Sequence, residues 1–235
     1  MNIILLRPED WIDASTVELR DRRHTHISSV LQAHVGASLR VGKLGGNRGT
    51  GIVTTVTQEA TQITVSLSET PPLRHTFDIA LALPRPKMLR RVLRTVAEMG
   101  VANLHLIHSA RVEKSFWQSP LLRPERIADA LQAGLERSGD TILPCVHVHR
   151  FFKPFIEDTA PGLLENRRGW IAHQAGATRI SGADGQALVM LGPEGGFVPF
   201  ELELAETTGF VVGHLGGRTL SVDTAVTAAL SQALP

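Results

Sequence analysis

The pair Pro71-Pro72 separates two stretches of the chain whose residue patterns require different kinds of fold. Before it, short runs alternate β-branched and polar residues between glycine-rich turns, which indicates half-buried strands. After it, short apolar runs alternate with amphipathic segments of helical length, which indicates strands connected by helices. The sequence therefore predicts two domains. Residues 1–70 are expected to form a small barrel-like β domain, and residues 71–235 an α/β domain with a mainly parallel sheet.

Periodicity and turn residues give the approximate positions of the elements. Residues 150–168, rich in proline, glycine and charge, are predicted to form a loop. Strands are expected at 3–6, 35–44, 51–57, 62–67, 77–83, 104–108, 170–172, 187–191 and 210–215, and helices at 25–33, 86–100, 124–138, 199–208 and 223–233.

Composition restricts the class of protein. The chain has 235 residues, a formal net charge of +1 and one cysteine, Cys145. A charge this small means that any affinity for nucleic acid must come from local basic patches. A single cysteine excludes an internal disulfide and fits a reducing compartment. No basic leader and no long apolar run is present, so we expect a cytosolic protein without a membrane span.

The sharpest local signal is Gly192-Pro193-Glu194-Gly195-Gly196, which follows an apolar run and precedes a helical segment. Glycines at such a place let the backbone come close to a ligand. The Lys-Ser/Thr pair of a phosphate-binding P-loop and the dinucleotide fingerprint spacing are both missing. A tight strand-to-helix turn without a ligand is the alternative interpretation, and these residues alone leave it open.

A second glycine-bearing loop lies at Leu215–Ala225 and contains Arg218. Alone, it is typical of a capped helix start, with Ser221 or Asp223 as the N-cap residue. The two loops follow two strands of the predicted sheet, and ligands of open α/β sheets bind beyond the carboxyl ends of strands. Together they favour a ligand site.

In order and content, the two loops resemble the cofactor loops of the SPOUT methyltransferases. Among these, the chain is most similar to the bacterial family that methylates uridine N3 in 16S ribosomal RNA. Four further segments agree over nearly the whole chain: Arg23-His24-Thr25-His26-Ile27, Glu98-Met99-Gly100-Val101, Ser109-Ala110-Arg111 and Glu136-Arg137-Ser138-Gly139. The resemblance implies an N-terminal PUA-like RNA-binding barrel, a C-terminal domain with a deep trefoil knot, and a homodimer.

The resemblance also implies S-adenosylmethionine (SAM) as the cofactor and assigns roles to residues. Arg218 is the expected catalytic or base-positioning residue, although it is also suited to tying its loop to a carbonyl. Implied cofactor-binding residues are His173, Leu191, Gly192, Glu194, Gly195, Gly196, Leu215, Gly216, Leu220, Ser221, Thr224 and Ala225.

RNA contacts are expected mainly from a basic run at the start of one helix. Such a run suits a phosphate track, and the alternative is a solvated helix face. The expected RNA-binding residues are Arg7, Arg23, His26, Arg85, Lys87, Arg90, Arg91 and Arg94.

The sequence departs from the family at positions suited to RNA contact, since Ser221 and Asp140 stand where arginine is usual. A retargeted or non-catalytic SAM-binding paralogue is therefore the second hypothesis. A dinucleotide-dependent oxidoreductase is disfavoured by the missing phosphate fingerprint.

Histidines occur two residues apart at His147 and His149 and three residues apart at His105 and His108. They lack the helical His-x-x-x-His spacing and the carboxylate partners of zinc enzymes. We therefore expect no metal site.

Overall fold

The computed structural model of the chain describes residues 2–183 and 185–233. These residues form two compact units. The first contains the residues up to Leu73 together with Gln132–Leu143, and the second contains Arg74–Leu131 and the residues from Pro144 onward. The predicted division into residues 1–70 and 71–235 stays a prediction.

The first unit is built on a five-stranded sheet with the order β1-β3-β4-β5-β2. Its strands are β1 (Ile4–Leu6), β2 (Thr16–Leu19), β3 (Ser38–Lys43), β4 (Arg48–Val56) and β5 (Thr61–Glu69). β1 pairs with β3 in parallel, and the other pairs are antiparallel. β1 and β2 are the edge strands of this sheet. The predicted β-rich domain is confirmed, and its closure into a barrel stays a prediction.

The core of this unit consists of apolar residues from the sheet and one residue, Ile27, from the helical segment that follows β2. β2 was not predicted, although its Thr-Val-Glu-Leu alternation buries Val17 and Leu19 on one face. The fully buried apolar residues of the cluster are Ile4, Leu6, Val17, Leu19, Ile27, Val41 and Ile63.

The short helix α1 (Arg22–Thr25) continues as a π-helical turn over His26–Val30. The Asp21 side chain caps α1 by accepting a hydrogen bond from the backbone N–H of Arg23 at 2.9 Å. The helix predicted over residues 25–33 therefore begins at Arg22 and ends at Val30, earlier than predicted at both ends. Gln32 adopts a φ of 48°, a left-handed conformation that cannot continue a right-handed helix.

Residues 132–143 pack within the first unit through backbone contacts. Asn2 N–H donates to the Glu136 carbonyl at 2.7 Å, and Gly45 N–H donates to the Thr141 carbonyl at 2.8 Å. A Cβ atom at Gly42 would overlap the Thr141 methyl group, so this approach requires glycine in β3.

The second unit contains a seven-stranded sheet in which every pair of neighbouring strands is parallel. The order is β10-β12-β9-β11-β6-β7-β8. The strands are β6 (Phe77–Ala82), β7 (Asn103–Ile107), β8 (Cys145–His149), β9 (Arg168–Ala172), β10 (Thr178–Arg179), β11 (Ala187–Leu191) and β12 (Phe210–His214). The predicted α/β fold with a parallel sheet is confirmed.

Burial along the strands follows their position in this sheet. Every residue of the central strands β6 and β11 is buried, as continuous apolar runs predict. The edge strand β8 is largely exposed and was not predicted, although its Val146-His147-Val148-His149 alternation has the period of a strand.

Helices connect these strands. They are α2 (Pro86–Glu98), α3 (Pro124–Ser138), α4 (Phe152–Pro154), α5 (Ala160–Leu164), α6 (Pro199–Thr207) and α7 (Val222–Leu230). In α2, Pro86 occupies the first turn, one face is buried, and Gly100, with a φ of 72°, follows the helix end. The opposite face carries the basic run, which is exposed.

The loop predicted over residues 150–168 is wrong. α4, a π-helical turn over Phe155–Thr159, and α5 make residues 152–164 helical. The buried residues Phe152, Phe155, Ile156 and Ala160 have the spacing of one helix face, so burial of an apolar stripe outweighs the local proline and glycine content.

No helix within residues 2–183 and 185–233 is long and apolar enough to cross a bilayer.

A buried ion pair fixes the start of the first unit. The Arg23 guanidinium donates to both carboxylate oxygens of Asp10, at 2.6 and 2.7 Å, and to the Leu5 carbonyl at 2.6 Å. The Arg23 and Asp10 side chains are only 4% and 5% exposed. Burial alone would lower the pKa of Arg23, but hydrogen bonds to Asp10 and Asp21 raise it above its ordinary value. Arg23 therefore stays charged and paired.

We predict that Asp10→Ala destabilises the chain by about 3 kcal/mol, because it leaves a buried guanidinium without its main partner. Urea unfolding monitored by circular dichroism measures the change. Glu9→Ala, which removes an exposed neighbouring carboxylate, is the matched control and is expected to change stability by less than about 0.5 kcal/mol. Equal unfolding midpoints for the two variants would contradict the prediction.

Candidate functional site

A cavity of about 430 Å³ lies in the second unit, where the strands β12, β9 and β11 end. Because the three strands are parallel neighbours, their carboxyl ends meet at one edge of the sheet. The volume of the cavity is in the range of small-molecule sites. The lining residues are Ala172, His173, Gln174, Ala175, Leu191, Gly192, Pro193, Glu194, Gly195, Gly196, Leu215, Gly216, Arg218, Thr219, Leu220, Val222 and Ala225.

Most of the residues expected at a cofactor site lie together in this wall. Those that line the cavity are His173, Leu191, Gly192, Glu194, Gly195, Gly196, Leu215, Gly216, Leu220 and Ala225, together with Arg218. Ser221 and Thr224 do not line it, and their hydroxyl groups are 2.9 Å apart.

A third loop, which follows β9, also lines the cavity. Sequence reasoning found only His173 in it and missed Gln174 and Ala175. The two glycine loops follow β11 and β12, and β9 lies between these strands. The missed signal is the Ala-Gly-Ala run around Gly176, which follows a predicted strand just as the other two loops do.

Two glycines let the third loop fold onto β12. A Cβ at Gly176 would lie 2.7 Å from the Gly213 carbonyl carbon, and a Cβ at Gly213 would lie 2.8 Å from the Trp170 ring. The backbone N–H of His173 donates to the Gly213 carbonyl at 2.8 Å. Both positions therefore require the smallest residue, and the close approach fixes the cavity wall at His173.

The two glycine loops are held in turns by short-range hydrogen bonds. Gly196 has a φ of 70°, and its N–H donates to the Pro193 carbonyl at 2.8 Å. Gly216 has a φ of 122°, and its N–H donates to His214 Nδ1 at 3.0 Å. These left-handed conformations favour glycine and turn both loops over the strand ends.

The end of β7 supports the first glycine loop. The Arg111 guanidinium donates to the Gly195 carbonyl. The buried carboxylate of Glu201 accepts from Ala110 N–H at 2.7 Å and from Val198 N–H at 2.9 Å. These contacts hold the loop and the start of α6 against the segment after β7. No sequence pattern indicated this role for Glu201.

Arg218 is exposed and lies in the cavity wall. Within the described residues, its guanidinium makes no hydrogen bond or ion pair, so the alternative role of tying its loop to a carbonyl has no support. An arginine held beside a cavity without a protein partner has its donors free for a ligand.

The start of α7 is joined to the basic helix α2. Asp223 accepts from the Ser221 hydroxyl at 2.6 Å and pairs with Arg91 at 3.3 Å. The Ser221 hydrogen bond lowers the pKa of Asp223 most, and Arg91 acts in the same direction. One charge of the basic run is therefore already paired.

The other residues expected to bind RNA have different surroundings. Arg85, Lys87, Arg90 and Arg94 are exposed on α2. Arg7 is partly exposed and donates to Gln132 at 2.9 Å. His26 is partly buried, and burial lowers its pKa. Arg23 is only 3% exposed, and four of its five N–H groups donate to Asp10, Asp21 and Leu5, so we do not retain it as an RNA contact.

The histidines of β7 and β8 form a stack. The His105 and His147 rings are 4.6 Å apart, and His105 Nδ1 lies 3.1 Å from His149 Nε2. Burial, together with these neighbouring imidazoles, lowers the pKa of His105 to about 4. In the part of the chain that the structure describes, no group of three or more His, Cys, Asp or Glu side chains is arranged to hold a metal ion.

Comparison with known proteins gives consistent results. A family model described as an RNA methyltransferase domain matches residues 71–234. Ribosomal RNA small subunit methyltransferase E from Treponema pallidum is 28% identical over 100% of this chain and 91% of its own length.

Two crystal structures share the fold. A ribosomal RNA small subunit methyltransferase E from Neisseria gonorrhoeae, bound to S-adenosylmethionine, has a TM-score of 0.78 at 21% identity, covering 98% of this chain and 95% of that one. A probable rRNA methyltransferase from Porphyromonas gingivalis has a TM-score of 0.77 at 24% identity, covering 98% and 96%.

The resemblance seen in the two glycine loops is thus confirmed at the level of the family. Since the family model spans both loops and the whole parallel sheet, the chain belongs to the RNA methyltransferase domain family.

Proposed function

We propose that this protein is a SAM-dependent methyltransferase that acts on ribosomal RNA of the small subunit, at uridine N3 of 16S rRNA. The observation that supports this most strongly is the cavity of about 430 Å³ at the ends of β12, β9 and β11. Arg218 lies in its wall and has no partner among the residues that the structure describes. The names of the relatives and the resemblance of the loops support 16S rRNA as the substrate and uridine N3 as the position that is methylated.

The cavity suits SAM because four of its lining residues, Gly192, Gly195, Gly196 and Gly216, expose backbone to a ligand. A Cβ at Gly192 would lie 3.2 Å from the Gly196 Cα, and a Cβ at Gly195 would lie 3.0 Å from the Arg111 side chain. A side chain at Gly192 or Gly195 would crowd these neighbours, and without one the loop backbone can approach an adenosine and a bent methionine chain. SAM, when bound, supplies an electrophilic methyl group.

The protein's contribution is positioning and electrostatics. Uracil N3 must lose a proton before it can accept a methyl group, which leaves a negative charge on the ring. Arg218 is the cation in the cavity wall with free donors, and we assign to it the stabilisation of that charge. No general base is assigned.

We further propose that RNA lies along the exposed face of α2, on Arg85, Lys87, Arg90 and Arg94. The resemblance supports three more proposals: a PUA-like barrel in the first unit, a trefoil knot in the second, and a homodimer. A cytoplasmic location, expected from the lone cysteine and the RNA substrate, belongs to the same proposal.

A retargeted paralogue is the second candidate, because two positions that usually carry arginine lack a cation. Asp140 is buried and accepts from Thr141 N–H at 2.6 Å, and Ser221 bonds to Asp223. Such a protein would keep the cofactor cavity and methylate or bind another RNA.

The first test is methyl transfer from labelled SAM to small ribosomal subunits, free 16S rRNA and unrelated RNA. We expect label in 16S rRNA and a reverse-transcription stop at one uridine, because a methyl group on N3 blocks base pairing. We expect Arg218→Ala to lower kcat by roughly 10²- to 10³-fold with little change in RNA affinity. Arg179→Ala, an exposed arginine on β10, is the control. Label only in unrelated RNA would favour the paralogue.

A second prediction concerns the cofactor loop. Gly195→Val places a branched side chain against Arg111 at a residue that lines the cavity, which displaces the loop. SAM affinity is therefore expected to fall at least roughly tenfold, as measured by calorimetry. Gly162→Val is the control, since a side chain there meets nothing within 4 Å. Wild-type affinity in Gly195→Val would show that the loop is only a structural turn.

A third prediction concerns α2. Arg90 and Arg94 are exposed and, within the described residues, make no ion pair, whereas Arg91 pairs with Asp223. The double variant Arg90→Gln/Arg94→Gln is expected to weaken RNA binding and to make its salt dependence shallower, by about 0.9 in log–log slope for each phosphate that the variant no longer neutralises. SAM affinity is expected to stay unchanged.

The control for α2 is Arg123→Gln/Arg126→Gln, which changes the net charge equally near the start of α3. Filter binding over a salt series measures both variants. Equal slopes for the two would assign α2 to a solvated face.

A further inference from the structure

The part of the second glycine loop that carries Arg218 has few contacts. Within the part of the chain that the structure describes, residues 217–220, which we call the arginine segment, make one hydrogen bond and no ion pair. Gly217 and Arg218 are exposed, and a Cβ at Gly217 would meet nothing within 4 Å. The residue before the segment is better held, because Gly216 N–H donates to His214 Nδ1 at 3.0 Å. The position of Arg218 therefore depends on that one hydrogen bond.

This hydrogen bond connects the arginine segment to the loop after β9. Gln174 Nε2 donates to the Thr219 hydroxyl at 2.6 Å. Both residues line the cavity, and Thr219 directly follows Arg218 in sequence. The bond thus joins two loops of the cavity wall whose strands, β9 and β12, are neighbours in the sheet.

The loop after β9 is the fixed side of the bond. His173 N–H donates to the Gly213 carbonyl at 2.8 Å, and Gly176 N–H donates to the His173 carbonyl at 3.1 Å. Ala175 N–H donates to His173 Nδ1 at 3.2 Å. Gln174 therefore lies between residues that are themselves hydrogen-bonded, whereas the arginine segment has no other hydrogen bond. It follows that Gln174 supports the arginine segment, and not the reverse.

We propose that Gln174 is a positioning residue that acts through Thr219 and fixes the place of Arg218 in the cavity wall. This inference rests on the proposed function, in which Arg218 stabilises the negative charge on the target base. A cation lowers the barrier of such a step most when its donors are held in advance at the place where the charge develops. A segment with one hydrogen bond loses that advantage when the bond is removed.

The first test measures methyl transfer to small ribosomal subunits. Gln174→Ala is expected to lower kcat roughly three- to tenfold, the effect of losing one hydrogen bond, with the KM for RNA and the Kd for SAM unchanged. In an Arg218→Ala background the same change is expected to have no further effect, because a residue that acts only through Arg218 then has nothing to position.

The partner of Gln174 provides a conservative rescue. Thr219→Val removes the accepting hydroxyl at nearly constant shape and is expected to lower kcat as much as Gln174→Ala. Combining the two changes is expected to add nothing, since both remove the same bond. Thr219→Ser keeps the hydroxyl, so its kcat is expected to stay near that of wild type.

The second test needs no activity and uses the free protein. Trypsin cleaves after arginine, and Arg218 is exposed, so cleavage at this residue reports how often its segment opens. Gln174→Ala is expected to speed cleavage after Arg218 at least roughly threefold. Gln186→Ala is the matched control in both tests, because Gln186 is exposed in the same unit and its side chain makes no hydrogen bond within residues 2–183 and 185–233.

Three results would overturn the proposal. They are unchanged cleavage after Arg218 in Gln174→Ala, a loss of kcat as large in the Arg218→Ala background as in wild type, and a fall in SAM affinity at unchanged kcat. The last result would make Gln174 a cofactor contact instead.

The two tests also separate this inference from the proposed function. If wild type methylates 16S rRNA and Gln174→Ala keeps the wild-type kcat, only the positioning role is refuted. If wild type transfers no methyl group while Gln174→Ala speeds cleavage after Arg218, the proposed function fails and the support of the arginine segment by Gln174 stands.

Discussion

The parallel pairing of the seven-stranded sheet is the constraint on which the site depends. Parallel strands place all their carboxyl ends at one edge, so every loop that follows a strand leaves the sheet on the same side. The order β12-β9-β11 then brings together three loops that are far apart in the chain. The cavity is therefore a consequence of strand order, and most of its lining residues lie in the loops that directly follow the three strands.

Close backbone packing determines the shape of that cavity. Gly176 and Gly213 allow the loop after β9 to lie on β12, and the Trp170 ring occupies the space that a larger residue at Gly213 would need. Arg111 and Glu201 hold the loop after β11 from the side of β7. A glycine-rich loop is rigid only if other residues fix it, and these contacts perform that task.

Ion pairing distinguishes arginines that stabilise the fold from arginines whose donors are available to a ligand. Arg23 is buried with Asp10 and supports the first unit, and Arg167 pairs with the buried Asp78 in the second. Arg218 stands in the cavity wall without a partner among the described residues. Because an unpaired cation beside a cavity gains most from a negative ligand, the contrast supports the role in catalysis that we propose for it.

The sequence by itself determined the local features. The Pro86 start and Gly100 end of α2, the apolar runs of β6 and β11, and the glycine loops depend on neighbouring residues, and periodicity and turn chemistry are local properties. Tertiary structure decided which strands are neighbours, that residues 152–164 become helical, and that Arg23 is buried whereas Arg218 is not. Those outcomes depend on burial and on partners distant in sequence, such as the Arg150–Trp117 contact, which no local pattern contains.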